Sequence, residues 1–153
     1  MELYLIRHPR PQVAPGVCYG QTDLGLAEPA AEVAERLRPL LPADFALHAS
    51  PLARARLLAE ALGTPRLDAR LQEIHFGDWE GRSFDEIGQP ALDAWAASPL
   101  DFAPPGGESP RRMAARSHAF LAELRLEFLG THGLPHDIVG LSVARGTMVR
   151  FDQ

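Results

Sequence analysis

The sequence predicts a single α/β domain with a mostly parallel, mixed sheet. Two observations carry that expectation. Short apolar runs of strand length alternate with stretches of helical periodicity, and glycine, proline and capping residues punctuate the boundaries between them. The chain has 153 residues, 46% of them apolar and 23% charged. That is enough to bury one core and matches an ordinary globular composition, so residues 1–153 are expected to form one domain.

Residues 2–7 (ELYLIR) form an apolar run ending in charge, the pattern of a buried strand. Prolines and glycines make 9–25 a loop. Residues 27–41 place Val33, Leu37 and Leu40 at helical spacing, with acids early and Arg36 and Arg38 late, as the helix dipole favours. Residues 44–49 (DFALHA) are a second strand. Ser50 is expected as N-cap and Pro51 as first helical residue of a helix running to Leu62, stopped by Gly63 and Pro65.

Residues 71–81 are mixed in pattern. Ser83 and Glu86 have capping-box spacing and start a short helix, and 91–97 is another helical piece. Residues 101–107 (DFAPPGG) form a loop. Glu108-Ser109 caps a long helix through Leu124, with Met113, Phe120, Leu121 and Leu124 on one side. Residues 141–151 suggest one or two strands turning at Arg145-Gly146.

No apolar stretch approaches the about 18 residues needed to cross a bilayer, and the run 3–6 is too short for a signal-peptide core. Cys18 is the one cysteine, which excludes an intrachain disulfide and makes the cytoplasm the expected compartment. The net charge of −5 argues against a general nucleic-acid binder, so an anionic substrate needs a local cluster of cations. All 15 cationic side chains are arginine. Position, rather than residue type, must therefore single out a functional arginine.

Arg7-His8 ends the first strand, and ligands of open α/β sheets bind at the carboxyl ends of strands. A lone turn histidine on the surface would read the same way. Residues 49–56 (ASPLARAR) run from strand into helix, where unpaired N–H groups and the dipole favour an anion. Arg54 sits in the first turn within reach of that anion, whereas Arg56 reads as a solvated cation.

These motifs, together with Leu71-x-Glu73-x-x-Phe76-Gly77-x-Trp79-Glu80-Gly81 and Pro104-Pro105-Gly106-Gly107-Glu108-Ser109, resemble the histidine phosphatase (phosphoglycerate mutase-like) superfamily. The order and spacing match over residues 2–124. Residues 17–23 (VCYGQTD) are most similar to the α-ribazole phosphatases of cobalamin biosynthesis. The resemblance implies a three-layer α/β/α sandwich with its C-terminal part shortened. It also implies a phosphomonoesterase acting on a small phosphorylated metabolite, α-ribazole 5'-phosphate being a candidate, through a phosphohistidine at His8.

Within that resemblance Arg7 and Arg54 clamp the phosphoryl oxygens, as a charge-dispersed transition state requires. Glu73 is the acid for the leaving oxygen and the base for water, a role that needs a partly buried carboxyl. Thr22 is either a hydrogen-bond donor to phosphate or an ordinary turn residue, and Glu80 reads as structural. No metal or other cofactor is expected. The His132-x-x-x-His136 spacing suits a zinc site only on a helix, which Gly133 and Pro135 oppose.

The chain departs from the family twice. Pro9 replaces the usual glycine after the nucleophile and removes a backbone N–H. The second catalytic histidine, expected at the end of a late strand and followed by a helix, has too little chain to accommodate it. Either 126–130 is that strand and His132 the second histidine, or strand and histidine are both missing and His132 is a loop residue. The latter reading leaves sheet edges exposed and predicts lowered stability or pairing into a homodimer. Alternatives to hydrolysis are mutase-type phosphoryl transfer and a catalytically impaired relative that still binds phosphate. Neither nucleic acid nor membrane is an expected partner.

Overall fold

A computed structural model describes the backbone of residues 2–130, 136–139 and 148–151. Five strands form one sheet: β1 (Glu2–Ile6), β2 (Ala46–Ala49), β3 (Arg66–Leu67), β4 (His136–Val139) and β5 (Met148–Phe151). Their order is β3-β2-β4-β1-β5. β1 pairs in parallel with β4, and β2 with both β4 and β3, while β5 runs antiparallel along β1. The sheet is therefore mostly parallel with one antiparallel edge.

The helices are α1 (Ala30–Leu37), α2 (Ala53–Leu62), α3 (Phe84–Ile87), α4 (Gln89–Ala97) and α5 (Pro110–Gly130). Period-2 alternation along β1 and β2 decides which helix meets which face. Tyr4, Ile6, Leu47 and Ala49 point to one side and pack with Val33, Ala34 and Leu37 of α1 and Leu58, Ala59 and Leu62 of α2. Leu5 points to the other side, against Leu71, Phe120 and Leu124. His48, between Leu47 and Ala49, meets the Phe120 ring edge-on at 5.4 Å. The result is the three-layer sandwich.

Several boundaries differ from the sequence expectation. α1 begins at Ala30 because Pro29 takes the N-cap, and Pro39 confines its end to a 3₁₀ turn over Arg38–Leu40. Ser50 is not the N-cap of α2: Leu52 is, and the Ser50 hydroxyl accepts instead from the Leu52 N–H at 3.3 Å. The stretch 71–81 is largely loop, with a 3₁₀ turn Ala69–Leu71 at its start and another, Gly77–Trp79, within it. Ser83 and Glu86 do form a capping box at α3.

The largest correction concerns the late strand. Residues 126–130 are not a strand but the last turns of α5. Nor is a late strand missing, since β4 occupies the central position between β1 and β2. His132, the candidate second histidine, lies outside the described residues, as do residues 140–147.

Candidate active site

Four parallel strands point their carboxyl ends to the same edge of the sheet, and two of them deliver the site. β1 ends at Ile6 and is followed at once by Arg7 and His8; β2 ends at Ala49 and leads through Leu52 into α2, which carries Arg54. β4 lies between them, so the topology brings two chain segments about 46 residues apart to one edge.

His8 is partly buried, and its Nδ1 lies 2.6 Å from the Pro9 carbonyl oxygen. A carbonyl only accepts, so Nδ1 must carry the proton and Nε2 the lone pair. Pro9 thus supplies the acceptor that orients the imidazole, although it lacks the N–H a glycine would bring. His8 Nε2 and Arg7 Nε are both buried and make no hydrogen bond among the described residues. Burial draws the His8 pKa below its ordinary value; the Pro9 carbonyl opposes this, Arg54 and Arg7 reinforce it, and Glu73 opposes it. Arg7, Arg54 and Glu73 therefore all sit within electrostatic range of His8.

Arg54 is 2% exposed. It donates from Nη1 to the Thr22 carbonyl at 3.0 Å and from Nη2 to the Gly20 carbonyl at 2.6 Å, and its guanidinium lies 5.2 Å from the centre of the Tyr19 ring. Burial lowers its pKa, with Glu73, Tyr19, Asp23 and Glu80 opposing, in that order. An arginine keeps its charge regardless. Two carbonyls and a ring thus hold a buried cation within electrostatic range of His8.

Glu73 is partly buried in the loop after the Ala69–Leu71 turn. Its carbonyl accepts from Gln21 Nε2 at 3.1 Å and from Arg116 Nη2 at 2.9 Å. Arg116 also donates from Nη1 to the carbonyls of Arg70 (2.7 Å) and Gln72 (2.6 Å), and pairs with Glu108 at 2.6 Å. The backbone flanking Glu73 is thereby tied to the start of α5.

Two expectations about the anion pocket change. The Thr22 hydroxyl donates to Glu80 Oε2 at 2.5 Å, so its proton is committed to a carboxylate. Thr22 serves the site through its carbonyl, on Arg54. The N-terminus of α2 is also engaged: Asp23 Oδ1 accepts from the Ala53 N–H at 2.6 Å. A carboxylate from the preceding loop takes the place at that helix start expected for the ligand.

Glu80, read from the sequence as structural, is surrounded by donors. It accepts from the Gln21 N–H (2.8 Å), the Phe76 N–H (3.0 Å) and Thr22. Burial pushes its pKa up, but these hydrogen bonds outweigh burial and hold it below the ordinary value. Gly20 is required where it stands, because a Cβ there would lie 2.3 Å from the Ile74 carbonyl oxygen and 2.7 Å from Glu80 Oε1. Gly77, at φ +54°, packs its backbone against Pro105 and Gly107, where a Cβ would collide with main chain at 2.1 Å. These close approaches explain why the Phe-Gly-x-Trp-Glu-Gly and Pro-Pro-Gly-Gly-Glu-Ser segments occur together.

The sequence reading missed Asp23, Gln21 and Arg116. Each acts across more than 25 residues of chain, so no local pattern marks it. Among the described residues no His, Cys, Asp or Glu cluster fits a metal ion, and no helix is long and apolar enough to cross a membrane.

Known proteins share this fold. A phosphoglycerate mutase structure from Thermus thermophilus superposes with a TM-score of 0.77 at 31% identity, covering 99% of this chain and 93% of that one. A mycobacterial glucosyl-3-phosphoglycerate phosphatase superposes with a TM-score of 0.75 at 32% identity, covering 92% and 73%. In sequence, the glucosyl-3-phosphoglycerate phosphatase of Mycobacterium tuberculosis is 40% identical over 119 residues, 69% of this chain and 51% of the relative. That of Mycolicibacterium vanbaalenii is 35% identical over 137 residues, 80% and 59%. The chain spans about half the length of the curated relatives it matches. Residues 3–135 match the family profile of branch 1, and on that match the chain belongs to the histidine phosphatase superfamily.

Proposed function

We propose that this chain is a phosphatase that hydrolyses phosphomonoesters of small metabolites through a phosphohistidine on His8 Nε2. The observation that carries the reading is that His8 Nε2 and Arg7 Nε are buried without a hydrogen-bond partner among the described residues, with the buried Arg54 cation in range of His8. Burying such atoms without partners is costly, and an oxyanion with an electrophilic centre is the ligand that satisfies both. The names of the relatives support the same chemistry.

In the first step the Nε2 lone pair attacks phosphorus and the bond to the leaving oxygen breaks, with Glu73 giving that oxygen its proton. Arg7 and Arg54 balance the charge on the equatorial oxygens. In the second step water attacks the phosphohistidine, Glu73 takes its proton, the P–N bond breaks, and phosphate leaves a neutral imidazole. The finer reading, α-ribazole 5'-phosphate as substrate, rests on the resemblance of residues 17–23. In this reading the Thr22 hydroxyl donates to Glu80, and the phosphoryl oxygens are left to Arg7 and Arg54.

The test is turnover of 4-nitrophenyl phosphate with and without chelator, in the parent and in His8→Ala. Chelator-resistant turnover that disappears in the variant supports the reading. Unchanged turnover in His8→Ala removes it.

One observation favours a second reading, that of a phosphate-binding relative impaired in the second step. No histidine occurs in the sequence after the central strand β4, and His132 precedes that strand, whose first residue pairs with Glu2 at the start of β1. His8 follows the other end of β1. Acid-labile label retained on His8 after incubation with a ³²P-phosphomonoester, with little phosphate released, identifies that case.

A further inference from the structure

Beside the phosphoryl site lies a cleft of about 310 Å³, lined among others by Val17, Tyr19, Gly20, Glu73, Phe76 and Phe84. Two of these residues join it to the site. Tyr19 stacks under Arg54, and Glu73 both lines the cleft and acts electrostatically on His8. A group that protonates a leaving oxygen must stand between phosphorus and leaving group, and Glu73 meets both sides of that requirement.

The walls are apolar and firmly backed. Phe76 rests edge-on against Trp95 at 6.1 Å, and Trp95 rests against Trp79 at 6.0 Å. Gly20 packs directly against Phe76 from the other side, where a Cβ would stand 2.8 Å from the ring. Phe84, on α3, lines the cleft and is 41% exposed, so its ring is available to a bound group. Among the described residues lining the cleft there is no cation, and Glu73 is the one carboxylic acid.

We infer that this cleft receives the leaving group of the substrate and selects a flat, apolar, uncharged ring system over an anionic one. The assignment rests on the phosphatase reading of the adjacent site. Aromatic walls gain from burying a ring, by area and by edge and face contacts. A carboxylate in the same place finds no cation to pair with among the described residues that line the cleft. This separates the chain from a preference for phosphoglycerate-type leaving groups, and it makes Phe84, Val17 and Phe76 specificity-determining.

Binding of stable phosphonates, measured calorimetrically on the full chain, tests this without turnover. 1-Naphthylmethylphosphonate is expected to bind about tenfold or more tightly than methylphosphonate. Phosphonoacetate is expected to gain nothing over methylphosphonate. In Phe84→Ala the naphthyl-to-methyl affinity ratio falls several-fold toward one. A parent ratio near one, or phosphonoacetate as the tightest of the three, overturns the assignment while leaving the phosphatase reading intact. 1-Naphthylmethanol is the remaining arm: affinity equal to that of its phosphonate removes the phosphoryl site at His8, and this assignment with it.

Discussion

Arg116, in the first half of α5, donates from Nη2 to the carbonyl of Glu73 at 2.9 Å while pairing with Glu108 at 2.6 Å. The same guanidinium holds the carbonyls of Arg70 and Gln72. Arg116 is thus a positioning residue, fixing the backbone from which the candidate acid projects. Replacing it by alanine strands a largely buried Glu108 carboxylate, a change that costs about 3 kcal/mol in such settings. Arg116→Lys keeps the charge but not the fork geometry. Its kcat on an alkyl phosphomonoester is expected to fall about tenfold. Turnover of 4-nitrophenyl phosphate, whose leaving group needs little protonation, should change less than about twofold. Equal losses on the two substrates assign Arg116 a purely structural role.

Glu80 joins the loop carrying Thr22 to the one carrying Phe76 through three accepted hydrogen bonds. Glu80→Ala leaves two backbone N–H groups without their acceptor and should destabilise the fold by about 3 kcal/mol in urea titrations. The pH dependence has a definite sign. The folded pKa of Glu80 lies below the unfolded one, so its contribution is present above the ordinary carboxylate value and is lost as pH falls through the folded value. Glu80→Gln should therefore flatten the acid side of the stability profile. A parent and variant with parallel acid limbs contradict this.

Gly20→Ala tests the close approach at the centre of the site. The new Cβ meets a backbone oxygen and a carboxylate already engaged in hydrogen bonds, so neither yields cheaply. We expect about 2 kcal/mol of destabilisation. A fall in kcat/KM is also expected, because the Gly20 carbonyl anchors Arg54. Unchanged values of both speak against the rigid 20–74–80 contact.

Local signals announced β1 and β2: each is a short run of strand length, and the apolar run of β1 ends in charge, as in a strand buried on both faces. His8 and Arg54 stood out as candidates because they follow a strand end and open a helix, whereas Glu73 was a candidate only through the resemblance of the motif around it. Contacts between distant segments left no such mark. Asp23 caps α2 from 30 residues away, and a capping rule read from Ser50-Pro51 named the wrong residue. Residues 126–130 looked like a strand because they are apolar, yet no proline or interior glycine interrupts the helix before Gly130, and α5 continues through them. β3 has two residues, too few for any periodicity to show.

His8 offers a pH test that needs no substrate. Burial depresses its pKa, Arg54 and Arg7 add to the effect, and the Pro9 carbonyl only partly opposes it. The imidazole should therefore stay neutral below the ordinary value of about 6.5, keeping Nε2 nucleophilic in mildly acidic solution. Because the unfolded chain binds the proton first as pH falls, stability should decline from about pH 6.5 downward, through the folded pKa. The acid limb of kcat/KM should likewise lie below about 6.5. In Arg54→Gln one repelling cation is gone, so the His8 ring resonances in an NMR titration should move to a higher midpoint. The shift will be partial, since burial is the larger cause. A parent midpoint at or above the ordinary histidine value contradicts a desolvated His8 facing two guanidinium groups.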